Sequence, residues 1–150
     1  MGQNVSVMKT TTKASAHETA PVSKVMKSEG FSNHELYVGI DVHKKRWQVA
    51  VLCSGVVLQN VSIEADAGLL VQHLRSRYGE AQFHCVYEAG PFGFALCRAL
   101  WAAGMECIVV NPADIPGTDQ ERRSKTDSVD ARRLANHLAA GLLRGVYVPS

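Results

Sequence analysis

The pattern of apolar and polar positions divides the chain near residue 35. Residues 1–34 are rich in Ser, Thr and Lys and carry no sustained apolar period, so a disordered tail is expected there. From Leu36 the pattern changes. LYVGIDV (36–42) is a short apolar run with β-branched residues, the signature of a strand buried at the centre of a sheet. RWQVAVLC (46–53) and VVLQNVSI (56–63) are two further apolar runs, separated by Ser54-Gly55, which is a hairpin signal. These three strands are predicted to form an antiparallel meander.

Beyond them the period alternates. DAGLLVQHLRSRY (66–78) places apolar residues at 69, 70, 74 and 78, with helical spacing. FHCVYEA (83–89) reads as a strand, Pro91 interrupts, and FGFALCRALWAAG (92–104) reads as a helix ending at Gly104. MECIVVNP (105–112) is a further strand, and ADIPGTDQERRSK (113–125) is a loop. A last helix is expected from Thr126 to Gly141, and VYVP (146–149) is expected to start one more strand. Strands separated by helices run parallel through right-handed crossovers. The order βββαβαβ followed by a helix therefore predicts an α/β fold: a ribonuclease-H-like mixed sheet, strand order 3-2-1-4-5, with flanking helices. The domain is expected to occupy 35–150 and to be incomplete at its carboxyl end.

Composition narrows this picture only a little. The 150 residues suit one domain plus a tail, and the 46% apolar content is enough for one core. A net charge of +2 is too small to name a partner. No apolar stretch approaches a membrane span, and the first thirty residues lack the apolar centre of a signal peptide, so a cytoplasmic protein without membrane attachment is expected. MGQNVS matches a myristoylation pattern, but six residues match easily by chance. Cys53, Cys85, Cys97 and Cys107 form no C-x-x-C pair and sit among apolar residues, as buried reduced thiols do. The six histidines show no metal-ligand spacing and read mostly as surface residues.

The candidate chemistry lies in the carboxylates. Asp41 stands near the end of the central apolar strand, where an unpaired carboxylate is costly to bury, and His43 shares its face as a partner. The bland alternative is that Asp41 caps the turn into strand two. Glu88 ends the fourth strand; with strands one and four adjacent, about 4.8 Å apart, both carboxylates reach the same edge of the sheet. Open α/β sheets bind ligands at that edge, and the Gly90-Pro91-Phe92-Gly93 turn leads there into a helix. Asp127 and Asp130 are three apart and, on a helix, would share a face; the alternative is that they only cap and favour its dipole. Four carboxylates at one edge call for divalent cations. Mg2+ suits hard oxygen ligands, with Mn2+ as the alternative ion. Lys44, Arg122, Arg123, Lys125, Arg132 and Arg133 are the candidate contacts to nucleic-acid phosphates, against the reading that each is only a solvated cation.

YVGIDVHK (37–44), YEAGPFG (87–93), VVNP (109–112) and KTDSVDAR (125–132) resemble, in order and spacing, the amino-terminal domain of bacterial insertion-sequence transposases of the one-ten family. The resemblance runs from about Leu36 to the end. It implies a RuvC-like fold with a DEDD acidic tetrad, which maps onto Asp41, Glu88, Asp127 and Asp130 as catalytic and metal-binding residues. It further implies DNA as the partner, a structured guide RNA encoded by the element, and a homo-oligomer in the full-length family. In that family a second domain carries a nucleophilic serine; the chain stops at Ser150, before such a domain, and Ser150 is not assigned that role. A transposase domain that does not work autonomously is therefore expected.

Two rivals stand beside this reading. A catalytically inactive nucleic-acid-binding fragment would keep the fold without the chemistry. An actin-like or sugar-kinase half-domain also begins βββ with an aspartate ending strand one, but it needs a glycine-rich phosphate turn where this chain has Asp41-Val42-His43-Lys44.

Overall fold

The first three strands follow one another as β1 (Glu35–Val42), β2 (Arg46–Cys53) and β3 (Val56–Glu64), in a computed structural model that describes residues 30–116 and 130–150. Then come α1 (Ala67–Tyr78), β4 (Gln82–Glu88), α2 (Ala95–Ala102), β5 (Glu106–Val110), a 3-10 turn at Pro112–Asp114 and α3 (Ala131–Ala139). The sheet order is β3-β2-β1-β4-β5, the ribonuclease-H-like order. β1 pairs antiparallel with β2 and parallel with β4, and β4 pairs parallel with β5. The β2–β3 hairpin closes through Ser54 and Gly55, both left-handed with φ of 51° and 81°. Two positive φ values in a two-residue turn match the twist of the strands they join, which is why a Ser-Gly pair works there.

Alternation along the strands sorts the side chains into two layers. Leu36, Val38, Ile40, Val49, Val51, Cys85 and Tyr87 pack against Leu70, Leu74 and Tyr78 of α1 and Leu96, Cys97 and Leu100 of α2. Val86 and Val110 face the other way and meet Leu134 of α3 together with Ile115. Asp66 caps α1, its carboxylate accepting the Leu69 amide at 2.9 Å. The sheet is therefore covered on both faces over its parallel half, which explains the near-continuous apolar runs of β1 and β4.

Four boundaries differ from the sequence reading. Phe31, placed in the tail, is buried and meets Tyr78 edge-on at 5.3 Å, so the packed structure includes residues before 35; residues 1–29 lie outside the described ones. α2 starts at Ala95 rather than Phe92, because Gly93 has φ 74° and cannot continue a helix. The last helix starts at Ala131, not Thr126: Asp130 is extended, with φ −68° and ψ 164°, and caps it. VYVP does not form a strand; Gly145 makes an isolated bridge to Val110, and the Val146 amide donates to the Val109 carbonyl at 2.7 Å.

Candidate metal centre at the carboxyl edge of the sheet

Register brings the first two carboxylates together. Ile40 of β1 lies opposite Tyr87 of β4 in parallel pairing, so the next residues, Asp41 and Glu88, stand side by side where the two strands end. Ile40 and Tyr87 point into the layer under α1 and α2. Asp41 and Glu88 consequently project from the opposite face, the one that carries α3. Both are half-buried. The carboxylate of Asp41 lies 3.2 Å from Nε2 of His43, the partner expected from the period-2 spacing.

Gly39 and Val86 precede the two carboxylates on the same face. A Cβ on Gly39 would collide with the Ala131 carbonyl oxygen and stand 2.8 Å from the Ala135 amide nitrogen. The first turns of α3 thus rest directly on the backbone of β1, an approach only glycine permits. Asp130 immediately precedes that contact and accepts the Arg133 amide at 2.8 Å through Oδ1. Asp41, Glu88 and Asp130 therefore belong to one face of the sheet, with Asp130 fixed at a helix N-terminus. Asp130 is the cap of α3 rather than a residue within it; Asp127, expected to share its helical face, lies outside the described residues. Among the described residues, no three His, Cys, Asp or Glu side chains converge as the ligands of one ion would.

The basic candidates are placed as follows. Lys44 is exposed in the turn between β1 and β2, beside the carboxyl end of β1. Arg132 is exposed and Arg133 half-buried in the first turn of α3. Arg122, Arg123 and Lys125 lie outside the described residues. The sequence reading passed over Lys45 and Arg46, which complete an exposed run His43-Lys44-Lys45-Arg46 at this edge. Arg46 is anchored: its Nε donates to Ser62 Oγ at 2.8 Å and Nη2 to the Ser62 carbonyl at 2.9 Å.

Tyr87 supports the neighbouring turn from below. Its hydroxyl donates to the Gly93 carbonyl at 3.0 Å and accepts the Cys97 amide at 3.2 Å. Burial pushes its hydroxyl up to about 12. Burial likewise raises the thiols of Cys85 and Cys107 far above the ordinary range, and all four cysteines are free. At the opposite, amino edge of the same face, His84 bridges two carboxylates, with Nδ1 2.7 Å from Glu106 and Nε2 3.0 Å from Glu35, while Tyr37 stacks on its ring at 4.9 Å. The sequence reading missed this cluster, because its members come from three separate strands.

Fold and edge together define a class: ribonuclease-H-like domains with carboxylates at the ends of their first and fourth strands. The chain belongs to the IS110 family of DEDD transposases, whose family model, described as Transposase, matches residues 38–150. It is 40% identical over 121 residues to a putative transposase, y4qE, of Sinorhizobium fredii, covering 77% of this chain and 30% of that protein. It is 34% identical over 115 residues to the transposase for insertion sequence element IS1533 of Leptospira borgpetersenii, covering 72% of this chain and 33% of that protein. The chain thus spans about a third of the length of these curated relatives. Among solved structures, T. thermophilus RuvC in complex with Holliday junction substrate superposes with a TM-score of 0.47 at 12% identity, over 75% of this chain and 100% of that chain. That superposition is loose, and the sheet order stands on the strand pairing itself. No helix among the described residues is long and apolar enough to cross a membrane.

Proposed function

We propose that this chain is the acidic, metal-binding domain of an insertion-sequence transposase that acts on DNA phosphodiesters during transposition and recombination. The observation that carries the reading is the pair Asp41–Glu88, side by side at the ends of neighbouring parallel strands, on the face covered by α3, the helix that Asp130 caps. Membership of a transposase family supports it. Carboxylate oxygens in this arrangement suit Mg2+, or Mn2+ in its place. Such ions, when bound, activate a nucleophile and stabilise a leaving oxygen at phosphorus.

The chain's own residues have separable tasks in this reading. Asp41, Glu88 and Asp130, with Asp127, supply negative oxygens as ligands. His43 holds the Asp41 carboxylate in place. Lys44, Lys45 and Arg46 neutralise phosphates from the turn after β1, and Arg132 and Arg133 do so from α3; Arg122, Arg123 and Lys125, outside the described residues, are assigned the same task. A structured guide RNA, a second copy of the chain and a cytoplasmic setting complete the proposal, on the family resemblance.

Thermal unfolding in the presence of Mg2+ or Mn2+ tests the reading. Metal at a hundredfold excess over its Kd stabilises a folded protein by about 2.7 kcal/mol. Asp41→Asn and Glu88→Gln should each remove the shift. Asp130→Asn keeps a good helix cap while deleting the charge, so it should weaken the shift without unfolding α3. A native chain whose unfolding ignores both ions would overturn the metal-binding reading and leave a nucleic-acid-binding module.

A further inference from the structure

The turn that follows Glu88 carries an apolar ring into solvent at the edge where the carboxylates stand. Phe92 is 51% exposed. Its backbone is nonetheless well defined. The Gly93 amide donates to the Gly90 carbonyl at 3.2 Å, closing a four-residue turn with Pro91 and Phe92 at its centre. Pro91 fixes its own φ, and Gly93 supplies a left-handed φ of 74°. The Tyr87 hydroxyl then ties the Gly93 carbonyl to the core at 3.0 Å. A Cβ placed on Gly90 or Gly93 would meet nothing within 4 Å, so the turn stands clear of its surroundings. A ring held out on a proline turn that is itself pinned from the core is presented, not stranded by chance mobility.

We infer that Phe92 is a stacking platform for an unpaired nucleobase next to the phosphate held at the Asp41–Glu88 edge. The inference rests on the reading that this edge works on nucleic acid. Charge favours a nucleobase over an apolar protein surface. β1 lies beside β4, so the exposed run His43-Lys44-Lys45-Arg46 that follows β1 shares the edge with the turn that follows β4. A strip of cations beside an exposed aromatic is how proteins hold single strands: the cations take the phosphates and the ring takes a base face. Stacking is tolerant of sequence, because every base offers a π-face. The platform would therefore hold a strand opened at the reacting position without selecting its sequence.

Fluorescence anisotropy with the whole chain tests this, using a labelled thymidine oligonucleotide and an abasic strand of equal length at low salt. One stacked base is expected to change affinity by roughly 5- to 150-fold. Phe92→Ala and Phe92→Leu should weaken binding of the thymidine strand by that factor and leave the abasic strand unchanged, while Phe92→Trp should retain native affinity. If Phe92→Ala binds the thymidine strand as tightly as the native chain, or weakens both strands equally, the platform is overturned. If Phe92→Leu keeps full affinity, the ring makes an apolar contact and does not stack, which also overturns it. A native chain that binds neither strand nor duplex DNA would instead remove the nucleic-acid reading itself, and the platform with it.

Discussion

Replacing Gly39 by Ala should lift α3 off the sheet and loosen the candidate centre with it. The added Cβ meets the backbone of α3 at two points, the Ala131 carbonyl and the Ala135 amide, so no side chain can rotate away to make room. At Ala135 the gap must open from 2.8 Å to at least 3.4 Å, and more is needed at Ala131. The helix must move as a body, because Ala131, Leu134 and Ala135 are all buried beneath it. Overpacking a close-packed core costs about 1–3 kcal/mol, and the rigid contact places this case at the upper end. Against this, alanine in a strand regains about 0.5–1 kcal/mol relative to glycine. The net loss is about 2 kcal/mol, which in a domain of this size lowers the melting temperature by roughly 4–16 °C. Circular dichroism melting reads the first effect. A Mn2+ titration of the same variant reads the second, since the helix that Asp130 caps would shift relative to the strands that carry Asp41 and Glu88. A variant that melts within about 2 °C of the native chain, below the shift expected for a loss of about 2 kcal/mol, would refute the close approach of α3 to β1. Native-sized stabilisation by Mn2+ in a destabilised variant would remove Asp130 from the ligand set.

Tyr87→Phe deletes a hydroxyl that makes two hydrogen bonds and leaves the Gly93 carbonyl and Cys97 amide without it, so a loss of about 1–3 kcal/mol is expected by urea unfolding. The same residue sets an alkaline limit: its folded value, about 12 against an ordinary 10.0, favours the neutral form, so its contribution is whole below about pH 10 and is lost as pH rises from 10 towards 12. The variant should flatten that limb of the stability profile, and an unchanged limb would refute the assignment. A thiol reagent added to the native chain should modify half-buried Cys53 quickly, whereas Cys85, Cys97 and Cys107 should react only on unfolding; fast labelling of a second cysteine would contradict the packing of β4, α2 and β5.

What could be read from the sequence was whatever the core made periodic. Near-continuous apolar runs in β1 and β4 lead up to Asp41 and Glu88, and the ribonuclease-H-like strand order set those runs side by side. The pair was therefore legible before any coordinates. Phe31 was not, because one aromatic in a polar stretch carries no period. The start of α3 was not, because Asp127 and Asp130 are equally good caps and the sequence has no means of choosing between them. Nor was the His84 cluster, whose carboxylates stand 49 and 22 residues away from it along the chain and meet only across three strands.

The two ends of the α3-bearing face hold their acids differently. At the amino edge both ring nitrogens of His84 are engaged by Glu35 and Glu106, and its side chain is only 18% exposed and covered by Tyr37. That histidine is held by two neighbouring strands and a stacked ring, so an arriving cation would have to break contacts that tie the sheet together. At the carboxyl edge Asp41 meets His43, whose side chain is 62% exposed and sits at the start of an exposed turn. The acids at the amino edge thus serve the fold, while at the carboxyl edge one contact of Asp41 is to a histidine that itself stands largely in solvent.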